Sequence, residues 1–360
     1  MKAGGSCLRS PARSWRVHAC IAMSCIASCW MLCARAQPVL STNASASSEA
    51  PSAFSFAVMG SVIDEGERGT RAVLRAIDDS PARFVVHFDL SAPSSASCSA
   101  ANIARRRDAL DANARPIVPV VAASEWSACG GSVTEPAEHL ARVGDALFGT
   151  DDSLGQSRLR WVRQSSVPRF HRYRENLLWQ TGNVLFVVLN LPDNNNNFRF
   201  GAGRNGEFEE RLIANRVWLE RAFRLAAERR LAGIVILIDA APRFGLPIRA
   251  PDPRTHERDG YYEWKTTLRD LTSSFKGQVL LVQGHVVPQS PPLNEPDHPL
   301  RDTSGKALAH FTRVALPDTS SGGAWMRIEI APRSPKLFHI AIERVFDDPS
   351  GELYGPARVK

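Results

Sequence analysis

Phe84-Val85-Val86-His87-Phe88-Asp89 and Pro116-Ile117-Val118-Pro119-Val120-Val121-Ala122-Ala123-Ser124-Glu125-Trp126 are two apolar runs that each stop abruptly in small or polar residues. Short runs of this kind read as buried strands, and an abrupt polar end is how strands of an α/β sheet finish where a site lies outside the carboxyl edge. Phe56-Ala57-Val58-Met59-Gly60-Ser61 upstream and Leu280-Leu281-Val282-Gln283-Gly284-His285 downstream have the same form.

Working outward, apolar runs recur at 54–59, 84–88, 117–121, 184–189, 234–238 and 279–282, then at 311–316, 325–330 and 337–342. The first six alternate with helix-like segments and the last three follow in close succession. Residues 68–77, 103–113, 136–147 and 207–230 carry apolar side chains at three- and four-residue spacing. The last is the clearest helix, with Leu212, Val217, Trp218, Leu219, Ala222, Phe223 and Ala226 toward one side. Helix-linked strands followed by near-consecutive strands predict an α/β fold of two packed sheets flanked by helices. Asp193-Asn194-Asn195-Asn196-Asn197 reads as a polar loop after a strand, and Ala240 to Asp259 as an irregular stretch.

The two ends read differently from the middle. Arg9, Arg13 and Arg16 precede an apolar run from Ala19 to Cys33 that closes in Ala34-Arg35-Ala36, the pattern of a secretory signal over residues 1–36. Ile26-Ala27-Ser28-Cys29 offers a competing reading as a lipobox, with lipid anchoring at Cys29. Residues 37–53, rich in Ser, Ala and Pro, read as a disordered leader, 54–345 as the folded domain and 346–360 as a loose tail. No later segment approaches 18 uninterrupted apolar residues, so no transmembrane helix is expected and the address reads as periplasmic or secreted.

The 360 residues carry 44% hydrophobic and 22% charged side chains and a net charge of +7. Removal of residues 1–36 takes away Lys2, Arg9, Arg13, Arg16 and Arg35 with no acid, and lowers the charge from +7 to +2. The basic balance therefore points to no nucleic-acid partner. Five of the seven cysteines fall in the same segment, leaving Cys98 and Cys129. In an oxidising compartment two such residues pair; two free buried thiols are the alternative.

The strand-end segments, taken in order, resemble those of the calcineurin-like metallophosphoesterases, a bacterial branch of them above all. Enzymes of that family hold two metal ions with Asp-x-His, Gly-Asp-x-x-Asp, Gly-Asn-His, a later lone His and Gly-His-x-His. This chain has Gly60-Ser61 with Ile63 in the first His place, and His87-Phe88-Asp89-Leu90-Ser91 at the second motif. There Asp89 fits best at the glycine and Leu90 at the ligand place. At the third it has Ala122-Ala123-Ser124-Glu125-Trp126, in a frame that runs on to Cys129. Ile238-Asp239-Ala240 follows at the fourth and Gly284-His285-Val286-Val287 at the last. Framework positions also match: Tyr173, Glu175, Asn176 and Trp179, then Asn190, then Asn215, Trp218, Leu219 and Phe223, then Phe311, Thr312 and Arg313.

The resemblance implies a four-layer αββα sandwich and neighbouring loops for Cys98 and Cys129, which suits their pairing. It also implies a phosphoesterase centre stripped of most ligands. Two divalent cations close together repel and need anionic oxygens around and between them. Hydroxyls at Ser61 and Ser124 do not supply these, so a degenerate centre without a bound cofactor is the leading expectation. A divergent single-metal hydrolase using Asp89, Asp239 and His285 is the second. A module for a small-molecule or cell-envelope ligand, using Asn194 to Asn197 and Arg243, is the third. His87, within an apolar run, reads as a hydrogen-bonded core histidine. Asp64, Glu65 and Glu67 read as a solvated helix start, and His256-Glu257-Arg258-Asp259 as an exposed loop. No nucleophile elbow, zinc-protease helix, phosphate loop or dinucleotide fingerprint is present.

Overall fold

Strands buried on both faces must be covered on both faces, and the strand sequences obey that demand layer by layer. The computed structural model describes residues 52–61, 66–88, 98–124, 136–199, 205–242, 244, 258–284, 299–317, 323–347 and 353–354. The first sheet joins β1 (Phe54–Gly60), β2 (Ala82–Phe88), β3 (Ile117–Val120), β10 (Ala324–Ile330) and β11 (Phe338–Arg344) in the order β11-β10-β1-β2-β3. Its first three strands run parallel, with Val58 beside Val86 and Val86 beside Val118, and β10 returns antiparallel with Met326 beside Val58.

The second sheet joins β4 (Val162–Arg163), β5 (Leu177–Thr181), β6 (Val184–Val188), β7 (Gly233–Ile238), β8 (Gln278–Gln283) and β9 (Phe311–Ala315) in sequence order. From β6 to β9 the pairing is parallel; β4, β5 and β6 pair antiparallel. The β5 to β6 hairpin closes through Gly182-Asn183, where Gly182 takes a φ of 57° that its lack of a Cβ permits.

Alternation along the strands decides which side chains meet. Phe56 and Phe84 of the first sheet stack at 5.3 Å, and Phe186 and Trp179 of the second stack at 5.0 Å. Phe186 meets Phe56 and Phe84 edge-on at 5.2 and 5.3 Å, so the two sheets pack face to face through aromatic rings. The alternate residues Leu178, Leu185, Val187, Ile234, Ile236 and Leu281 form the second sheet's outer core. Over them lie Trp218, Leu219 and Phe223 of one helix (Gly206–Glu228) and Trp264 and Leu268 of another (Tyr262–Ser274).

In chain order the helices are α1 (Gly66–Asp78), α2 (Ala100–Asp111), α3 (Pro136–Leu147), the single turn α4 (Asp193–Asn196), α5 (Gly206–Glu228) and α6 (Tyr262–Ser274). Helix α1 packs on β1 and β2, and α2 on α3, contributing Val73, Ile77, Ile103, Leu110, Val143 and Leu147 to the core of the first sheet. The result is the expected four-layer α/β sandwich of two mixed sheets. No helix among the described residues is long and apolar enough to cross a membrane.

Several elements differ from the sequence reading. Strands β4 and β5 stand where no strand was expected, α6 follows the irregular stretch, and the polar loop at 193–197 contains α4. Within the expected loose tail, β12 (Phe346–Asp347) pairs antiparallel with β13 (Leu353–Tyr354). Residues 1–51, which hold the expected signal with Cys29 and most of the leader, lie outside the described residues.

Candidate functional site at the strand ends

The carboxyl ends of β2, β3, β7 and β8 come together, two from each sheet. Asp239, one residue beyond β7 and 3% exposed, receives the Ala123 backbone N–H at Oδ2 over 2.6 Å. That bond ties the second sheet to the chain leaving β3. The Ala123 carbonyl in turn accepts from the Asp193 N–H at 3.0 Å, and Gly284 N–H donates to the Ile238 carbonyl at 3.0 Å. A Cβ at Gly284 would stand 2.2 Å from Asp239 Oδ1 and 2.3 Å from the Phe88 ring, so only glycine fits between the carboxylate and that ring.

On the other side of Phe88, the Ser61 N–H donates to the Phe88 carbonyl at 3.1 Å. The Ser61 hydroxyl lies 3.4 Å from His87 Nε2. Burial pushes the His87 imidazole down to about 4, with Arg106 pressing the same way, so the ring is neutral at pH 7. His87 is thus the buried, hydrogen-bonded core residue that its strand sequence predicts.

Among the described residues, no group of three His, Cys, Asp or Glu side chains is placed to hold a metal ion. The described strand ends do not fit a dinuclear centre. Ser61, Ala122, Ala123 and Ser124 are neutral, and Asp239, the carboxylate among them, binds a backbone N–H across the sheets. A pair of cations would need several carboxylates at that spot. The other two candidate ligands, Asp89 and His285, lie outside the described residues, as do Glu125 and Arg243.

Five of the framework residues, Glu175, Asn176, Asn190, Asn215 and Trp218, are joined by hydrogen bonds at the ends of β5 and β6. Asn176 donates to Gln164 at 2.7 Å and to Asn215 at 2.8 Å, and accepts from the Asn190 N–H at 2.9 Å. Asn190 donates to Glu175 at 3.1 Å, and Asn215 to the Asn190 carbonyl at 2.9 Å. Buried Arg211 pairs with Glu175 at 3.3 Å and Glu207 at 2.5 Å, so removing either partner would leave a desolvated charge poorly compensated. Trp218 closes the set by donating to the Leu177 carbonyl at 3.2 Å. These residues hold α5 to the second sheet.

Asn195, Asn196 and Asn197 are bonded within the fold, where the sequence reading expected a solvated loop. Asn195, Asn196 and Asn197 have φ of 62°, 59° and 57°, a left-handed turn that asparagine tolerates better than other side chains. Asn195 donates to the Arg258 carbonyl at 2.7 Å and accepts from the Gly260 N–H at 2.8 Å; buried Asn196 donates to the Gly260 carbonyl at 3.0 Å. The Tyr261 hydroxyl donates to the Pro192 carbonyl at 2.5 Å. The turn clasps the segment that starts α6. Sequence reasoning missed that role because the partners lie more than sixty residues away.

Cys98, partly buried just before the Ser99 N-cap of α2, is disulfide-bonded. Its expected partner, Cys129, lies outside the described residues, so that pairing stands as a proposal.

The class of protein these features define is an α/β sandwich of two face-to-face mixed sheets with a strand-end edge shared between them. In particular, the chain is similar to the calcineurin-like phosphoesterase YfkN from Bacillus subtilis, with 9% identity, a TM-score of 0.39, and coverage of 81% of this chain and 90% of that one. A second solved chain is similar over 81% of this chain and 99% of its own, with 9% identity and a TM-score of 0.42. No family profile matches the chain, and no curated protein does.

Proposed function

We propose that this is an exported calcineurin-like phosphoesterase-fold protein whose dinuclear centre has degenerated. The carrying observation is the state of Asp239. The candidate substitute for the fourth-motif ligand is buried, bonded to the Ala123 N–H, and bounded by Phe88 and Gly284. A carboxylate so used serves as a strut between sheets. The neutral residues Ser61 and Ser124 at the other motif positions support the same reading. Export rests on the basic and apolar pattern of residues 1–36, with the Cys98 to Cys129 bridge suited to that address.

A second reading is favoured by one feature of the chain. Asp89 and His285 each follow directly on Phe88 and Gly284, the two residues packed around Asp239. A carboxylate and imidazole set can hold one metal and lower the pKa of its water. The deciding assay is release of nitrophenol from nitrophenyl phosphate mono- and diesters, with manganese, zinc or iron added. The proposal expects no turnover above a heat-killed control. Metal-dependent turnover abolished by both Asp89→Ala and His285→Ala would establish the second reading instead.

A further inference from the structure

A cavity of about 360 Å3 opens beside the 3-10 turn Pro168–Phe170, against the first half of α5 and apart from the strand ends. Its floor is apolar. Phe170 and Tyr173 are buried and cluster with Ala214 outside both main cores. Its rim is basic, with exposed Arg169, His171 and Arg172 and a single acid, Glu210.

Most neighbouring arginines are neutralised: Arg211 by Glu175 and Glu207, Arg174 by Asp145, Arg163 by Asp151. Among the described residues Arg169 and Arg172 have no such acid; the Arg169 guanidinium stands over the Phe170 ring at 5.6 Å. His171 Nδ1 lies 3.2 Å from the Pro168 carbonyl, which leaves Nε2 as the other hydrogen-bonding atom. The Tyr173 hydroxyl bonds no group among the described residues. Burial pushes that phenol up to about 12, so at neutral pH it keeps its proton and can donate.

We propose that this cavity binds a small organic anion with a flat apolar body. Its acidic group is held by Arg169 and Arg172 with a hydrogen bond from Tyr173, and its body lies against Phe170 and Ile213, since the Arg211 guanidinium stands over the Tyr173 ring at 5.4 Å. Two guanidinium groups without an acid partner among the described residues, Arg169 over the Phe170 ring and Arg172 beside the same cavity, suit that class, because the fork binds carboxylate or phosphonate oxygens while the apolar side chains take the rest. A cavity of this volume lies in the range of small-ligand sites. Glu210 disfavours polyanions and leaves an acceptor for a ligand hydroxyl or ammonium. The proposal is independent of whether the strand ends hold a metal.

Calorimetric titration of the full chain tests it, with phenylphosphonate, benzoate, inorganic phosphate and benzyl alcohol as probes. Phenylphosphonate has no ester bond for a phosphoesterase to cleave. Phenylphosphonate and benzoate are expected to bind, inorganic phosphate roughly tenfold more weakly, and benzyl alcohol more weakly still. The double variant Arg169→Ala/Arg172→Ala should lose roughly tenfold or more in affinity and Tyr173→Phe about threefold, while His285→Ala leaves binding unchanged. Both arginines are exposed, so an unchanged melting temperature will show that the double variant folds. Unchanged affinity in the double variant, loss of binding in His285→Ala, or no binding of either aryl anion at about 10 mM would overturn it.

Discussion

His87 sits in β2 beside Met59 of β1, 5% exposed, with its Nε2 atom at the Ser61 hydroxyl. Its folded pKa is lowered from 6.5 to about 4 by burial. The unfolded chain therefore takes up the proton first as pH falls. The sign follows: full stability is present above pH 6.5 and is lost as pH drops toward 4, at most by about 3 kcal/mol. Urea unfolding of the parent and of His87→Gln across this window should give a stability difference that is level above pH 6.5 and shrinks below it. A difference independent of pH contradicts the buried neutral histidine. The apolar neighbours of His87 made that role legible in the sequence. Asp239 was legible as a strand-end acid but not as a strut, since Ala123, its hydrogen-bond donor, is 116 residues distant.

At the scale of elements, α4 converts composition into conformation. Asn197 has a φ of 57° and donates to Glu207 at 2.8 Å. Glycine would keep the backbone and lose the side-chain bond; valine would lose the bond and force a β-branched residue into the left-handed region. Asn197→Gly should therefore cost about 1 kcal/mol and Asn197→Val at least about 1 to 2 kcal/mol more, read from urea midpoints. Equal losses would show that the backbone geometry is unimportant. Elements with clear apolar patterns were legible, α3 to both its ends and β1, β7 and β8 to within a residue or two. Strand β5 was not, although Leu177-Leu178-Trp179 precedes the Gly182-Asn183 turn, because so short a run has no periodicity to separate it from a loop. Helix α6 was missed despite Trp264, Leu268 and Leu271 at helical spacing, because the irregular reading of 240–259 masked its start.

For the whole molecule, two packed sheets flanked by helices were legible in the order of the apolar runs, whereas the full set of strands and their division between the sheets were not: β4 and β5 were unexpected, and β9 joins the second sheet while β10 and β11 join the first. Which faces meet was not legible either, since the Phe56, Phe84, Trp179 and Phe186 contact depends on the position of one sheet over the other. The same packing brings the ends of β2, β3, β7 and β8 around one carboxylate, whose Oδ2 takes the Ala123 N–H and whose Oδ1 lies against Gly284. The strand ends are tied across the two sheets by hydrogen bonds through Ala123 and by the close packing of Phe88, Gly284 and Asp239. Metal content distinguishes a tied strand-end edge from one that holds cations. The mature protein, purified without chelator, incubated with manganese, zinc or iron and then desalted, should be measured by elemental analysis. The account predicts metal far below one equivalent per chain for every ion; two tightly held ions per chain would contradict it.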